Sequence, residues 1–341
     1  AFGGKRYSSS RGYLTNADRP TLEVQSQVHV QKINIENGRA TGVEVLDKKG
    51  DRRTIRAGKE VILSAGVFGS AQLLMLSGVG PAAHLKEHGI EVKADLPVGD
   101  NLHDHLFLPT TWLMPNAVHK GKASYFARGL AKELTVGHSF LENSVFETVA
   151  FVRTSQATDV PDLQIHVLPW AYPSPNQDAP VRHQVDKRRA LTVMSTLIYP
   201  RSRGSLRLAS ADASTAPLID MNYLAEQGDQ QVLAEGVEII REIMKSAAFG
   251  GNVTAELHPG PDYDAANMKA EVLNRATTVY HGVGTCRMGT DDRAVVGPDL
   301  KVRGIEGLRV ADASIMPSII GGNTNAPSIM IGDKAADLVL S

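Results

Sequence analysis

Hydrophobic and polar residues alternate along the first part of the chain. Between residues 21 and 45, the apolar positions that follow this period of two are Leu22, Val24, Val28 and Val30. Such alternation predicts a half-buried strand, and Asn37-Gly38 supplies a turn that accepts positive φ. We therefore expect a hairpin whose return strand spans residues 41–45, with a further short strand at 53–56.

A continuous apolar run, Val61-Ile62-Leu63, comes next and leads into a turn at Gly66. A short run of this kind is typical of a strand that is buried on both faces. Ser70 is a suitable cap for the following helix, which we expect to continue to Leu76 and to stop at Gly78. A strand, a glycine turn and a helix in this order favour an α/β layer.

The middle of the chain, residues 107–279, has a different pattern. Proline is frequent there, and alternating strands are predicted at residues 162–168 and 191–198. An amphipathic helix is predicted at residues 230–244 from apolar positions at helical spacing. The α/β pattern then returns and closes with a helix at residues 326–340. The predicted fold class is therefore α/β with an α+β insert built on an antiparallel sheet.

Composition narrows the class of protein. Of the 341 residues, 42% are hydrophobic and 21% charged, which is typical of a soluble globular protein. With a formal net charge of -1, the chain shows no electrostatic preference for nucleic acid, and no apolar stretch approaches the roughly 20 residues of a transmembrane helix. We predict neither nucleic acid as a partner nor a transmembrane segment. The localisation stays open, with a cytoplasmic location favoured.

Several motifs occur in a fixed order along the chain. They are GVFGSAQLLMLSGVG at 66–80, LPVGDNLHDH at 96–105, HGVGTCRMG at 281–289, VVGPDLKVRG at 295–304, GLRVADAS at 307–314 and GNTNAP at 322–327. In order and spacing they resemble the glucose–methanol–choline (GMC) family of FAD-dependent oxidoreductases, with choline dehydrogenases and aryl-alcohol oxidases as similar members. The resemblance covers the C-terminal two-thirds of a family member.

The resemblance implies two domains. Residues 1–106 and 285–341 would belong to a discontinuous, Rossmann-like FAD-binding domain, and residues 107–284 to an antiparallel-sheet substrate domain. The Gly-x-Gly-x-x-Gly unit that receives the FAD pyrophosphate in the family has no counterpart in this sequence. We therefore expect the N-terminal third to be missing here, whether truncated, cleaved or carried by another chain, and this chain alone to hold FAD poorly and to be inactive.

By resemblance, His281 is the catalytic base and Asn323 its partner at the substrate oxygen. A histidine suits the base because its ordinary pKa lies near neutral pH. Taken alone, His281 could equally be a hydrogen-bonded core residue and Asn323 a turn residue. Their motifs favour catalysis, and Asn325 is the better candidate for the cap of the last helix.

The resemblance also places cofactor contacts along the chain. The candidate FAD-binding residues are Val30, Gly66, Asn101, Asp312, Ala313, Asn325 and Ala326. Val30 would meet the adenine through its backbone, and Asp312 would lie beside the ribityl and pyrophosphate region. The N-terminus of the last helix, at Asn325 and Ala326, would stabilise negative charge on the flavin. A strand valine and a solvated strand-end aspartate are the alternative interpretations of Val30 and Asp312.

Two other features of the sequence raise the question of a metal site and of a nucleophilic cysteine. His103, Asp104 and His105 could be metal ligands, but neighbouring residues of an extended segment point to opposite faces and no second cluster completes a coordination shell. We predict no metal site. Cys286 could be a nucleophile, but it lacks an adjacent base and is better explained as a small buried residue.

The predicted function is FAD-dependent oxidation of an alcohol to an aldehyde or ketone. The predicted partners are a small-molecule alcohol and an electron acceptor, either O2 or a quinone-like carrier. Two alternatives remain open: a hydroxynitrile lyase-type enzyme that keeps FAD without net redox chemistry, and a silent fragment without the pyrophosphate site. The candidate substrate-lining aromatic residues are Trp112, Tyr125, Phe126, Trp170 and Tyr172.

Overall fold

The structure is a computed structural model of the chain. It describes residues 7–15, 20–117, 120, 122–137, 139–142, 144–146, 148–172, 188–249, 251–264 and 267–341. Within these residues the strands are β1 Val28–Glu36, β2 Arg39–Asp47, β3 Arg52–Arg56, β4 Val61–Leu63, β5 Val79–Gly80, β6 Ala94–Asp95, β7 Leu106–Leu113, β8 Thr148–Val152, β9 Leu163–Leu168, β10 Ala190–Leu197, β11 Ser205–Arg207, β12 Leu218–Asp220, β13 Ala255–His258, β14 Thr277–Thr278 and β15 Leu308–Val310. The α-helices are α1 Gly66–Leu76, α2 Ala82–Glu87, α3 Ala123–Val136, α4 Gln227–Met244, α5 Met268–Arg275 and α6 Asn325–Leu340.

The chain divides into two compact units. We call the first the antiparallel unit; it comprises the described residues of Ala1–Ala17, His105–Arg201 and Leu224–Val279. The second, the α/β unit, comprises those of Asp18–Asp104, Ser202–Tyr223 and Tyr280–Ser341. No helix within the described ranges combines the length and the apolar character that crossing a bilayer requires.

The antiparallel unit is built on a six-stranded sheet. Its strand order is β13-β7-β10-β9-β8, and β14 also pairs with β7. All of these pairs are antiparallel. The helices α4 and α5 contribute apolar residues to a core that they share with the sheet, including Leu233, Val237 and Val272 beside Leu163 and Val193. The predicted antiparallel sheet and amphipathic helix are confirmed.

The α/β unit combines an antiparallel hairpin with a parallel pair of strands. β1, β2 and β3 form a three-stranded antiparallel sheet, and Asn37 and Gly38 both adopt positive φ at its first turn, as predicted. β4 and β15 pair in parallel although they are far apart in sequence. Leu74 and Met75 of α1 are fully buried in the core of this unit together with Leu308 and Val310 of β15. The predicted α/β class is confirmed.

The first strand begins later than its alternating pattern predicts. Leu22 and Val24 are exposed and precede β1, which begins at Val28. The reason is the length of the partner strand, because the pairing ends where Val28 meets Asp47. There the chain leaves the sheet in a turn in which the carboxylate of Asp47 accepts the backbone N–H groups of Lys49 and Asp51.

Two helix starts also differ from the predictions. α1 begins at Gly66, so Ser70 lies inside the helix and not at its cap. The Gly66 N–H donates instead to Asp312, which lies 246 residues away in the sequence. α6 begins at Asn325, so that Thr324, and not Asn325, occupies the cap position.

The compact units differ from the predicted domain ranges in four places, one of which is that residues 105 and 106 lie in the antiparallel unit. The segment Ser202–Tyr223 lies in the α/β unit, because the N–H of Gly204 donates to Leu102 and the N–H of Leu206 to Gly99. Residues 280–284 belong to the same unit, and residues 7–15 lie in the antiparallel unit. The assignment of these units to cofactor and substrate stays a prediction.

Candidate active site

The side chains of His281 and Asn323 meet in the α/β unit. Asn323 Nδ2 lies 3.3 Å from His281 Nε2, so that the amide donates to the imidazole nitrogen. His281 is half-buried and Asn323 is exposed. The two residues are 42 positions apart in the sequence, and Asn323 directly precedes the cap residue of α6. The predicted pair therefore lies within hydrogen-bond distance.

The backbone at His281 is held in an uncommon conformation. Tyr280, the residue before it, has a φ of 64°, in the left-handed region that costs a non-glycine residue about 1–2 kcal/mol. The adjoining segment is tied down by two backbone hydrogen bonds between His103 and Val283, at 2.9 and 3.2 Å. Gly284 follows with a φ of 101°, and a Cβ atom there would lie 2.3 Å from the carbonyl oxygen of Asn101. The two segments therefore pack backbone against backbone.

A buried carboxylate lies behind His281. Asp104 is 4% exposed, and its Oδ1 accepts the backbone N–H of His281 at 2.8 Å. Its Oδ2 accepts the hydroxyl of Tyr223 at 2.9 Å. Both oxygens of this carboxylate are thus hydrogen-bonded, as buried charged groups require.

Burial and charge act in opposite directions on the His281 imidazole. Burial lowers the pKa of His281 below its ordinary value, and the negative charge of Asp104 opposes this by raising the pKa. The net shift is downward. Because the pKa is lowered, the imidazole is neutral at pH 7, and the neutral imidazole is the form that accepts a proton.

The N-terminus of α6 adjoins the pair. Thr324 makes no side-chain cap, and Asn325 and Ala326 are exposed. The first N–H groups of a helix have no partner within the helix and carry partial positive charge. This end of α6 therefore offers backbone donors next to His281 and Asn323.

In the α/β unit, the turn after β4 is hydrogen-bonded to the residues that follow β15. Asp312 Oδ2 accepts the Gly66 N–H at 2.9 Å and the Ser70 hydroxyl at 2.5 Å, and its Oδ1 accepts the Ser314 N–H at 2.8 Å. Gly66 has a φ of 79° and open space where a Cβ would project. Ala313 is half-buried in the same turn. The Asp312 side chain thus holds the turn together through the Gly66 N–H, the Ser70 hydroxyl and the Ser314 N–H.

A cavity of about 490 Å³ lies beside this turn. It is lined by Val30 of β1, by Leu63 of β4 and by Ser64 and Ala65, which lead to Gly66. Val30 is half-buried there. The predicted adenine residue and the glycine turn therefore belong to one continuous region of the α/β unit.

Asn101 occupies a structural junction. It adopts a φ of 62°, its amide donates to the carbonyl oxygens of Pro317 and Gly284 at 3.1 and 3.4 Å, and its Oδ1 accepts the Arg203 Nε–H. These bonds join three segments of the α/β unit. A contact between Asn101 and the flavin stays a prediction.

His103 and His105, which were considered as metal ligands with Asp104, bond to different parts of the backbone. His103 Nδ1 donates to the carbonyl oxygen of Asn101, and its Nε2 accepts the N–H of Ile319 at 3.0 Å. His105 Nε2 donates to the carbonyl oxygen of Ile198. These nitrogens thus serve backbone groups of separate segments.

Cys286 is fully buried, and burial raises the pKa of its thiol to about 12. The thiolate is the nucleophilic form of cysteine, and a thiol with so high a pKa stays protonated at neutral pH. The interpretation of Cys286 as a small buried residue therefore agrees with its surroundings.

Comparison with known protein families decides the class of the chain. The C-terminal family model described as GMC oxidoreductase matches residues 200–332, and the N-terminal model with the same description matches residues 2–107. Together they cover most of the chain. The chain belongs to the GMC oxidoreductase family. The cofactor of this family is FAD.

Curated relatives agree with this assignment. An alcohol dehydrogenase [acceptor] of Pseudomonas putida is 40% identical over 99% of this chain and 61% of its own length. An oxygen-dependent choline dehydrogenase of Rhizobium rhizogenes is 39% identical with the same coverage. A solved structure of Aspergillus oryzae formate oxidase, a variant made to study FAD modification, superposes with a TM-score of 0.83 and 28% identity over 92% of this chain and 59% of its own. The GMC oxidoreductase described here thus spans about three-fifths of the curated relatives that it matches.

The observed features fit FAD as the bound group. The uncapped start of α6 supplies backbone donors and partial positive charge beside His281 and Asn323, as a flavin that becomes negative on reduction requires. The cavity lined by Val30 and the open space at Gly66 suit a nucleotide.

Asp104 and Tyr223 were not among the predicted site residues. Asp104 lies in the NLHDH motif, and this motif was the sequence signal that could have identified it as a site residue. Nothing in the sequence around Tyr223 points to the site, because its contact with Asp104 joins residues 119 positions apart.

Proposed function

We propose that this GMC oxidoreductase oxidises an alcohol to an aldehyde or ketone, with His281 as the base and Asn323 as the group that holds the substrate oxygen. The observation that supports this most directly is the 3.3 Å distance between Asn323 Nδ2 and His281 Nε2 at the start of α6. A substrate hydroxyl that enters between the two nitrogens can donate to the imidazole and accept from the amide. In the α/β unit Asn323 is exposed and His281 is half-buried.

Oxidation of an alcohol requires removal of a hydroxyl proton and a carbon-bound hydride, and bound FAD supplies the hydride acceptor. The hydroxyl proton moves to His281 Nε2. Since the pKa of His281 is lowered mainly by burial, the imidazole is in its neutral form before the reaction. Such base catalysis is typically worth about 10²–10⁴-fold in rate. Asn323 orients the substrate oxygen and stabilises negative charge that develops on it.

The remaining predicted residues would hold the cofactor. Asn325 and Ala326 would contribute backbone donors at the start of α6, and Gly66 with Val30 would receive the nucleotide along the cavity. The role of Asp312 would be indirect, since its carboxylate already holds Gly66, Ser70 and Ser314. Relatives named as choline dehydrogenase and alcohol dehydrogenase support a small alcohol as the substrate class.

The visible absorption spectrum of the FAD-loaded protein tests the proposal. Under anaerobic conditions, a panel of alcohols should bleach the flavin bands, and His281→Ala should slow bleaching at least about 100-fold. His88→Ala is a matched control, because His88 lies at the end of α2. Unchanged bleaching in His281→Ala would rule out the base, and absence of bleaching by any alcohol would oppose a redox function.

The same spectrum tests two further expectations. A colourless purified chain would agree with the prediction that this chain alone holds FAD poorly. Where bleaching occurs, admission of O2 or of a soluble quinone identifies the electron acceptor by the rate at which the bands return.

A further inference from the structure

The carboxylate of Asp104 is buried and yet lies directly behind the proposed base. Its two oxygens are engaged by different donors, the His281 backbone N–H at 2.8 Å and the Tyr223 hydroxyl at 2.9 Å. Burial of a charged group costs free energy that hydrogen bonds must offset. A side chain that served only to fill the core could be apolar, so the charge at this position calls for a function.

The first consequence is geometric. His281 follows Tyr280, whose φ of 64° turns the backbone sharply. The carboxylate receives the N–H that this turn presents, while His103 and Val283 join the same two segments through their backbones. We call the paired backbone segments 101–104 and 280–284 the clamp. The orientation of the His281 side chain depends on this clamp, in which Asp104 supplies the side-chain hydrogen bond.

The second consequence is electrostatic. The negative charge of Asp104 raises the pKa of His281 against the effect of burial. The Asn323 amide adjoins the imidazole, and α1 approaches Gly282 through Val67 and Phe68. His103 lies on the same segment as Asp104, and its Nε2 accepts the Ile319 N–H, so it carries a lone pair there and is neutral.

We propose that Asp104 is a positioning residue for His281: it fixes the base through the backbone N–H, it is itself held by Tyr223, and its negative charge stabilises the protonated imidazole. The inference rests on the proposed function in one respect only, namely that His281 is the base. When the substrate proton moves to His281, the imidazole becomes a cation, and the carboxylate behind it offsets that charge.

Nuclear magnetic resonance of this chain tests the inference without FAD or substrate. The His281 ring signals are assigned by their loss in His281→Gln, and their pKa is measured by titration. Asp104→Asn keeps an acceptor oxygen but removes the charge, so the pKa of His281 should fall further. Asp212→Asn, which removes an exposed charge in the same unit, should leave the pKa of His281 unchanged. An unchanged His281 pKa in Asp104→Asn would overturn the electrostatic role.

Hydrogen exchange at the His281 amide tests the clamp. In the unsubstituted chain this amide should be protected, and Asp104→Ala should speed its exchange at least about tenfold, since a hydrogen bond to a charged group is lost. Asp104→Asn should restore most of the protection. Exchange of the unsubstituted chain at the rate of an open amide would overturn the inference even if the variants fail to fold.

Kinetics of the FAD-loaded enzyme separate the inference from the proposed function. If His281 is the base, Asp104→Asn should shift the pH profile of flavin reduction to lower pH, in step with the NMR titration. A shift in the titration without a shift in the profile would preserve the role of Asp104 and refute His281 as the base.

Discussion

Gly284 is the position where the packing of the two clamp segments can be tested most sharply. A Cβ at this residue would lie 2.3 Å from the Asn101 carbonyl oxygen and 2.9 Å from His103 Cε1. The residue also has a φ of 101°. Gly284→Ala therefore combines a conformational cost of about 1–2 kcal/mol with an overpacking cost of about 1–3 kcal/mol. We expect a loss of about 2–5 kcal/mol in the free energy of unfolding.

Gly50→Ala is the matched control. Gly50 has a φ of 89°, but nothing lies within 4 Å of the position that a Cβ would take there, so only the conformational cost of about 1–2 kcal/mol applies. Urea unfolding followed by far-ultraviolet circular dichroism measures both. Gly284→Ala should also deprotect the His281 amide, whereas Gly50→Ala should not. Equal losses of free energy in the two variants would refute the close backbone approach.

Three further outcomes follow from buried groups. Because the thiol of Cys286 is fully buried and its pKa is raised to about 12, the folded chain should resist a disulfide reagent at pH 8 and react only after denaturation. Glu256→Ala should lower the free energy of urea unfolding by about 1–3 kcal/mol, since the buried Arg241 loses its partner at 3.0 Å and keeps only Glu238 as a carboxylate partner. Lys245→Ala, which breaks an exposed pair, should change little. The lowered pKa of His281 makes the unfolded chain bind more protons just below pH 6.5, so stability should decrease as pH falls through that interval, and His281→Gln should flatten this part of the curve.

The local pattern of residues was sufficient to predict an element when its partner lies nearby in the sequence. The hairpin at Asn37 and Gly38 formed as predicted because two residues with positive φ define the turn, and the apolar spacing of α4 matches the core that it faces. Alternation at Leu22 and Val24 was misleading, because a strand also needs a partner and β2 ends at Asp47.

Helix starts depended on distant residues. The pattern around Ser70 is a good cap signal, but the Gly66 N–H finds Asp312, 246 positions away, and the helix begins at Gly66. Likewise, β4 pairs with β15, although the two strands lie near opposite ends of the chain. A cap or a strand partner at such a separation leaves no local trace.

The sequence alone determined the family, the cofactor class, the α/β and antiparallel patterns, and the pairing of His281 with Asn323 as a hypothesis, because these depend on motifs in a fixed order and on local periodicity. Only the tertiary structure decided that Asp104 and Tyr223 lie behind the proposed base and that Asp312 serves the Gly66 turn. The physical reason is that hydrogen bonds and charges act over a few ångströms in space, and folding brings together groups whose separation in sequence conceals that contact.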